Sequence, residues 1–471
     1  MNIDIGTIHE SRGASLVEDL NKIFERSKLF NITLRQISLK KDILGSSKSL
    51  EEIERKISHP KLEGSFQLLE LPGLSRFTPK SIILGQKRTA YFSTDADAVK
   101  IYNFLRTRIL KEESLTNTIL HMIDPINTGI DSYLRRRIPP ADEYDIMFTV
   151  LNPEPESLNI NFDVAVALDE YISPFLKELE DMNMFHIKSQ WLYFVNLQVN
   201  PKEINSSTHG HHFALAEELL SGSITPLEKK LATHVSKHPC LNFILYIPPC
   251  HQSPLHIYNT KGQRVQGYDA YISPRWGGIQ IYNPTRKECE TSEERASVVP
   301  DKHYIMPIFL QQIRLLLGLQ DLNELEEGEL TKEAEYIRLW EKDSLIRMRT
   351  VEQLTSSKLT LQSIAKLLGK INNIVINDHV GEAIFSSLDY IYKSTDSLKE
   401  GKLLQAFLYS KKAFISSEMA FTDPSLLALL YFPDDQKYAV YIPLFLPIMI
   451  PVLISFRQLA DWSLKKFKRP V

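Results

Sequence analysis

The residues of this chain whose types and spacing could do chemistry are histidines, cysteines and one glycine-containing string. His209-Gly210-His211-His212 is the most metal-like cluster. Imidazole suits zinc, but catalytic zinc sites add a carboxylate or cysteine ligand, and no helical H-E-x-x-H frames these three. The flanking Asn205, Ser206, Ser207 and Thr208 favour a polar surface loop instead. Cys240 follows His238 closely and Cys250 precedes His251, the two residue types a cysteine nucleophile requires. A thiolate needs its base in space rather than in sequence, so adjacency says little. Both cysteines flank the apolar string LNFILYIPP, where a cysteine more often serves as a small buried apolar residue. No phosphate-cradling glycine loop or nucleophile elbow occurs. The expectation is a chain with no catalytic residue, cofactor or metal of its own.

SPRWGGIQIYN (273–283) is the most singular string. Pro274 brings no amide donor, Gly277 and Gly278 permit turn geometry or close backbone approach, and Trp276 is a large anchor beside Arg275. It reads as an interaction loop feeding a strand, or as a structural turn whose tryptophan fills the core. Asn31-Ile32-Thr33 and Asn205-Ser206-Ser207 are glycosylation triplets, usable only in a lumenal domain.

The elements that must position these residues follow from periodicity. SIILG (81–85) and AYFST (90–94) read as short strands around a turn at Gln86–Arg88, and Ile32–Leu39 as one further strand. Asp95 or Asp97 then caps a helix carrying Val99, Tyr102, Leu105 and Ile109. DIMFTVLNP, WLYFVNL, LNFILYIP and IQIYN read as strands, separated by a helix opened by Asp163. A further helix runs over 304–319 and stops near Gly318. Strands alternating with helices predict an α/β layer architecture with a mixed sheet. Beyond it, Leu354, Leu361, Ile364 and Leu368, then Val380, Ile384, Leu388 and Ile391, then Leu404, Leu408, Ile415 and Met419 repeat at helical spacing. They predict three successive helices in a hairpin-like bundle. Asp423-Pro424 suits the start of another short helix, SLLALLYF. The divisions expected are 1–80, hard to read; 81–320, the α/β domain; 321–334, an acidic linker; and 335–432, the helical segment. No internal repeat is visible.

The 471 residues are 43% hydrophobic and 24% charged, with 55 Lys and Arg against 58 Asp and Glu. That balance argues against a phosphate-tracking surface, so no nucleic acid is expected as a partner. Three cysteines allow one disulfide at most. The averages conceal one segment. From Tyr438 to Phe456 the chain reads YAVYIPLFLPIMIPVLISF without a charge, long enough to cross a bilayer core of about 30 Å. Pro443, Pro447 and Pro451 would break a helix in water but are tolerated in membranes. At spacings of four they drift only about 80° around the helix, so one stripe is rich in freed carbonyls and is expected to face a partner helix rather than lipid. Arg457, Lys465, Lys466, Lys468 and Arg469 oppose only Asp461 in the 457–471 tail, which places the tail in the cytosol and the body in the lumen. Residues 1–20 hold no apolar segment that could insert the body there, so either the charge argument fails or this sequence lacks an N-terminal targeting segment.

QKRTAYF (86–92), TVLNPEP (149–155), SPRWGGIQIYN, LLGKINNIVINDHV (367–380) and the long string 423–455 together resemble the PIG-S family. The likeness is plain from about Ser81 to Phe456 and faint before it. It implies a non-catalytic subunit of the glycosylphosphatidylinositol (GPI) transamidase of the endoplasmic reticulum, with a lumenal domain between two membrane spans. It further implies chemistry by the cysteine-protease subunit PIG-K, with PIG-T, PIG-U and the Gaa-type subunit as other partners. Two classes stay open beside it: a tail-anchored adaptor, and a hydrolase using His209, His211, His212 or a cysteine.

Overall fold

The computed structural model describes residues 1–467 except 26, 28, 40–48, 78, 125–135, 207–209, 233–235, 291–294, 320–336, 371–376 and 425–433. The expected acidic linker, the short helix over SLLALLYF and His209 therefore lie outside the described residues.

The first 123 residues build one sheet and its helices. Their order is β1 (Asn2–Thr7), α1 (Glu10–Phe24), β2 (Thr33–Ser38), α2 (Leu50–Lys56), β3 (Ser65–Glu70), β4 (Ile82–Leu84), β5 (Thr89–Phe92), α3 (Ala98–Phe104) and α4 (Glu112–Ile123). The strand order is β2-β1-β3-β5-β4. All neighbours are parallel except the β4–β5 hairpin. Leu16, Leu20 and Phe24 recur every four residues on α1 and pack with Ile101 against Ile3, Ile5, Phe66 and Leu68. Leu50 and Ile53 of α2 cover the opposite face with Leu69, Ile83 and Tyr91. Each such buried side chain contributes about 1.5–3 kcal/mol. Asp97 is the cap of α3, accepting from the Lys100 amide at 2.8 Å. The sheet takes strands from both sides of residue 80, so no sheet boundary falls where the sequence turns legible.

The next stretch builds a second sheet. It comprises β6 (Glu143–Asn152), β7 (Leu158–Ile160), α5 (Val164–Tyr171), α6 (Ser173–Lys177), β8 (Met184–Tyr193), β9 (Lys202–Ser206), β10 (Gly210–Ala216) and α7 (Glu217–Glu228). After these come β11 (Cys240–Tyr246), β12 (Leu255–Tyr258), β13 (Ala270–Ser273), β14 (Gly277–Ile281), α8 (Arg286–Cys289), β15 (Ala296–Val298) and α9 (Lys302–Leu317). The main sheet has the order β13-β14-β11-β6-β8, parallel except for the β13–β14 hairpin. One face packs on Leu168, Phe175, Phe309 and Leu316, the other on Leu220, Leu227 and the small sheet β12-β10-β9. Asp163 caps α5 and Gly318 ends α9 with φ 97°. The helix opened by Asp163 stops at Tyr171 and Pro174 lies in the first turn of α6, because a proline suits a first turn and not an interior.

Numbered by chain order within each, both main sheets run 2-1-3-5-4, with the fourth strand antiparallel to the fifth. A helix follows the first, second and fifth strand in each case. The same topology thus occurs twice, although no sequence repeat announces it. Apolar patterning and turn geometry fix such a layout without residue identity.

α10 (Leu339–Lys370) begins within this body. Trp340 joins the first core while Leu345 and Ile346 join the second. Asp343 pairs with Arg88, Glu341 with Arg314 and Glu352 with Arg137, all buried. The turn between α11 (Asp378–Lys399) and α12 (Leu403–Phe421) also belongs to this unit, where the Ser394 hydroxyl donates to the Ala406 carbonyl at 2.7 Å.

The second compact unit comprises 356–391 and 412–471. The three expected helices are present, and their burial does not follow the large apolar residues that announce them. Ile364 and Val380 are buried with Ala383 and Ala420, whereas Leu388, Ile415 and Met419 are exposed. Leu408, in the first unit, is exposed as well. Buried positions fall to small residues instead, such as Ser387, whose hydroxyl donates to the Ala413 carbonyl at 2.9 Å. Periodicity identifies a helix but not which of two stripes is covered, and small side chains let backbones approach.

α13 (Asp434–Phe467) runs unbroken through Pro443, Pro447 and Pro451. Its 27-residue segment Tyr438–Leu464 is long and apolar enough to cross a membrane, with none of it buried. The helix extends past Phe456 because Leu459, Trp462 and Leu464 keep it apolar between the tail's charges.

Candidate functional site

Strand geometry divides the histidine run. Successive residues of β10 point to opposite faces, so His211 reaches exposed Glu203 at 2.6 Å while His212 is buried, its Nε2 2.6 Å from the Tyr258 hydroxyl. His211 and His212 therefore do not share a site.

The cysteines part company too. Cys250 and Cys289 form a disulfide across 39 residues of sequence, with Cα atoms 5.7 Å apart. Cys240 remains a thiol. Burial, then the nearby Asp145 carboxylate, pushes it up to about 11, the reverse of what a nucleophile needs. His238 turns to Glu143 rather than to this sulfur.

Pro274, Arg275 and Trp276 form the turn between β13 and β14. Arg275 adopts φ 61° and donates its amide to the Arg136 carbonyl. Trp276 packs against the core under α7, and its carbonyl accepts from the Asn242 amide. Gly277 has φ 153°, and a Cβ there would lie 1.8 Å from the Asn242 carbonyl oxygen; one on Gly278 would lie 2.0 Å from Gln312 Oε1. Gly277 is demanded by the close approach of the β11 backbone, whereas at Gly278 the end of the Gln312 side chain would have to move.

Asn31 and Asn205 are both exposed, as the triplet reading requires for access. Ser207 of the second triplet lies outside the described residues.

One cluster was not legible in the sequence. Glu143 opens β6, His186 sits in β8, and His238 lies just before β11. Their ligating atoms lie within 4.8 Å of one another. Glu143 Oε2 is 2.7 Å from His186 Nε2 and 3.5 Å from His238 Nε2. The three are separated by more than forty residues at each step, and only the parallel register of β8, β6 and β11 assembles them. Two histidines spaced two residues from Lys188 and Cys240 were the available signal, and alone they suggest nothing.

Fold and sites define a class: a doubled α/β body and a helical segment, ending on a helix of membrane-crossing length. Within that class the chain belongs to the PIG-S family, since the model for phosphatidylinositol-glycan biosynthesis class S protein matches residues 3–466. The match takes in the first 80 residues, where the likeness read from sequence was faint. The human GPI-anchor transamidase component PIGS is 36% identical over 436 residues, covering 90% of this chain and 78% of that protein. The Schizosaccharomyces pombe GPI transamidase component PIG-S homolog is 27% identical over 327 residues, 68% of this chain and 54% of its own. The Saccharomyces cerevisiae GPI transamidase component GPI17 is 23% identical over 326 residues, 66% and 57% respectively.

Proposed function

We infer that this chain is a non-catalytic component of the GPI transamidase, held in the endoplasmic-reticulum membrane by α13 with its α/β body in the lumen. The observation that carries the reading is the family match over 3–466, joined to relatives named as components of that enzyme. The Cys250–Cys289 disulfide supports a lumenal body, because such bonds persist in oxidising compartments and are rare in the cytosol. The basic residues after Phe456 support a cytosolic tail. The raised Cys240 thiol and the separated His211 and His212 support a supporting role rather than hydrolysis.

In this role PIG-K performs the chemistry, and PIG-T, PIG-U and the Gaa-type subunit are the other partners. The stripe of Pro443, Pro447 and Pro451 packs on a membrane helix of one of them, which satisfies the carbonyls the prolines release. The turn at Pro274–Gly278 fixes the end of the second sheet for such contacts.

Replacement in cells that lack the native subunit tests the reading. The chain is expected to restore GPI-anchored proteins to the cell surface, and C240A with H211A is expected to restore them equally. Loss of restoration in those two variants, with the protein present at normal level, would overturn the non-catalytic assignment.

A further inference from the structure

We propose that Glu143, His186 and His238 form a binding site for a zinc-type divalent cation on the second sheet. Two imidazole nitrogens and one carboxylate oxygen are a donor set that suits such an ion, with a fourth position left to water. In a tetrahedral site with metal–ligand distances of about 2.1 Å, ligand atoms stand about 3.4 Å apart. His238 Nε2 and Glu143 Oε2 already stand at 3.5 Å, and His186 Nε2 must retreat by about 0.7 Å from the carboxylate it now touches. That is a small rotation of a side chain which is 37% exposed.

The three donors rest on rigid supports. Glu143 and His186 belong to adjacent strands in fixed register. His238 is held by Ser236, whose hydroxyl oxygen accepts from the His238 amide at 3.1 Å and which is itself bonded to Asp145. Asp145 lies on the same face of β6 as Glu143, and Lys188 pairs with its carboxylate. With neutral imidazoles, Glu143, Asp145 and Lys188 leave one net negative charge beside the site, which favours a cation. Partial exposure of all three donors, between 31% and 37%, gives the ion a path from solvent and keeps desolvation small. Bound there, it would tie the leading ends of β8, β6 and β11 together.

The test uses the full chain in detergent, stripped with a chelator and titrated with zinc chloride in a calorimeter. One zinc per chain is expected. H186A, H238A and E143Q should each weaken binding by at least the tenfold to hundredfold (roughly) that losing even a supporting partner costs. H211A, remote in chemistry, should leave it unchanged. Cobalt substitution should give the absorption bands of a four-coordinate ion, absent in H186A. Wild type that binds no zinc at micromolar concentration overturns the proposal, as does undiminished binding in the three variants. H186Q, which keeps the hydrogen bond and the fold but not the ligand, must also lose zinc; retention would equally overturn it.

Discussion

Arg88 grips Asp343 with both nitrogens of its fork, Nε to Oδ2 at 2.7 Å and Nη2 to Oδ1 at 2.9 Å, across 255 residues of sequence. Arg88 stands at the foot of the first sheet's hairpin and Asp343 in the first turns of α10, a helix that also anchors in the second core. The pair therefore joins the start of the chain to the helix that follows both sheets.

Removing one partner leaves the other buried and unpaired, which costs about 3–5 kcal/mol. D343A should lose that much in urea unfolding of the purified chain. R88M together with D343L should recover most of it, since a well-packed apolar pair can replace a buried ion pair. A loss below about 1 kcal/mol for D343A would contradict this account of the pair.

The second hairpin makes a sharper steric prediction. G277A drives a methyl into the Asn242 carbonyl at a positive φ, so strand separation or misfolding is expected, with losses beyond about 3 kcal/mol. G381A is the contrast: its position lies inside α11 with nothing within 4 Å of the added carbon, and it should stabilise by about 0.5–1 kcal/mol. Melting curves of both variants beside wild type decide it.

Cys250 and Cys289 close a loop of 39 residues, worth about 3–4 kcal/mol on the loop-entropy scale. C250S should lower the unfolding midpoint, and reducing agent should lower that of wild type but not of C250S. An equal response of both to reductant would argue against the bond.

Cys240 predicts a pH dependence. Its thiol ionises near 9.0 in the unfolded chain and near 11 when folded, chiefly through burial. A raised folded value means its contribution to stability is complete below pH 9 and is lost as pH rises through 11. Iodoacetamide should alkylate the native chain slowly at pH 9 and accelerate toward 11, whereas C240S should show no such rise.

Much of the second sheet and the membrane helix was readable because long apolar runs and strong caps such as Asp163 and Gly318 announce themselves. In the first sheet β2, β4 and β5 were readable too, whereas β1 and β3 were not, being six-residue strands whose parallel neighbours lie tens of residues away. The site at Glu143, His186 and His238 was illegible for the same reason, being made by register alone. Leu388, Leu408, Ile415 and Met419 show a different limit: spacing announces their helices, but many of the buried positions beside them are small residues such as Ser387, Ala413 and Ala420.

Affinity purification of the tagged chain from cells lacking the native subunit, followed by mass spectrometry, tests the central claim most directly. The account predicts co-recovery of PIG-K with PIG-T, PIG-U and the Gaa-type subunit. Recovery of the chain in good yield without PIG-K would contradict it.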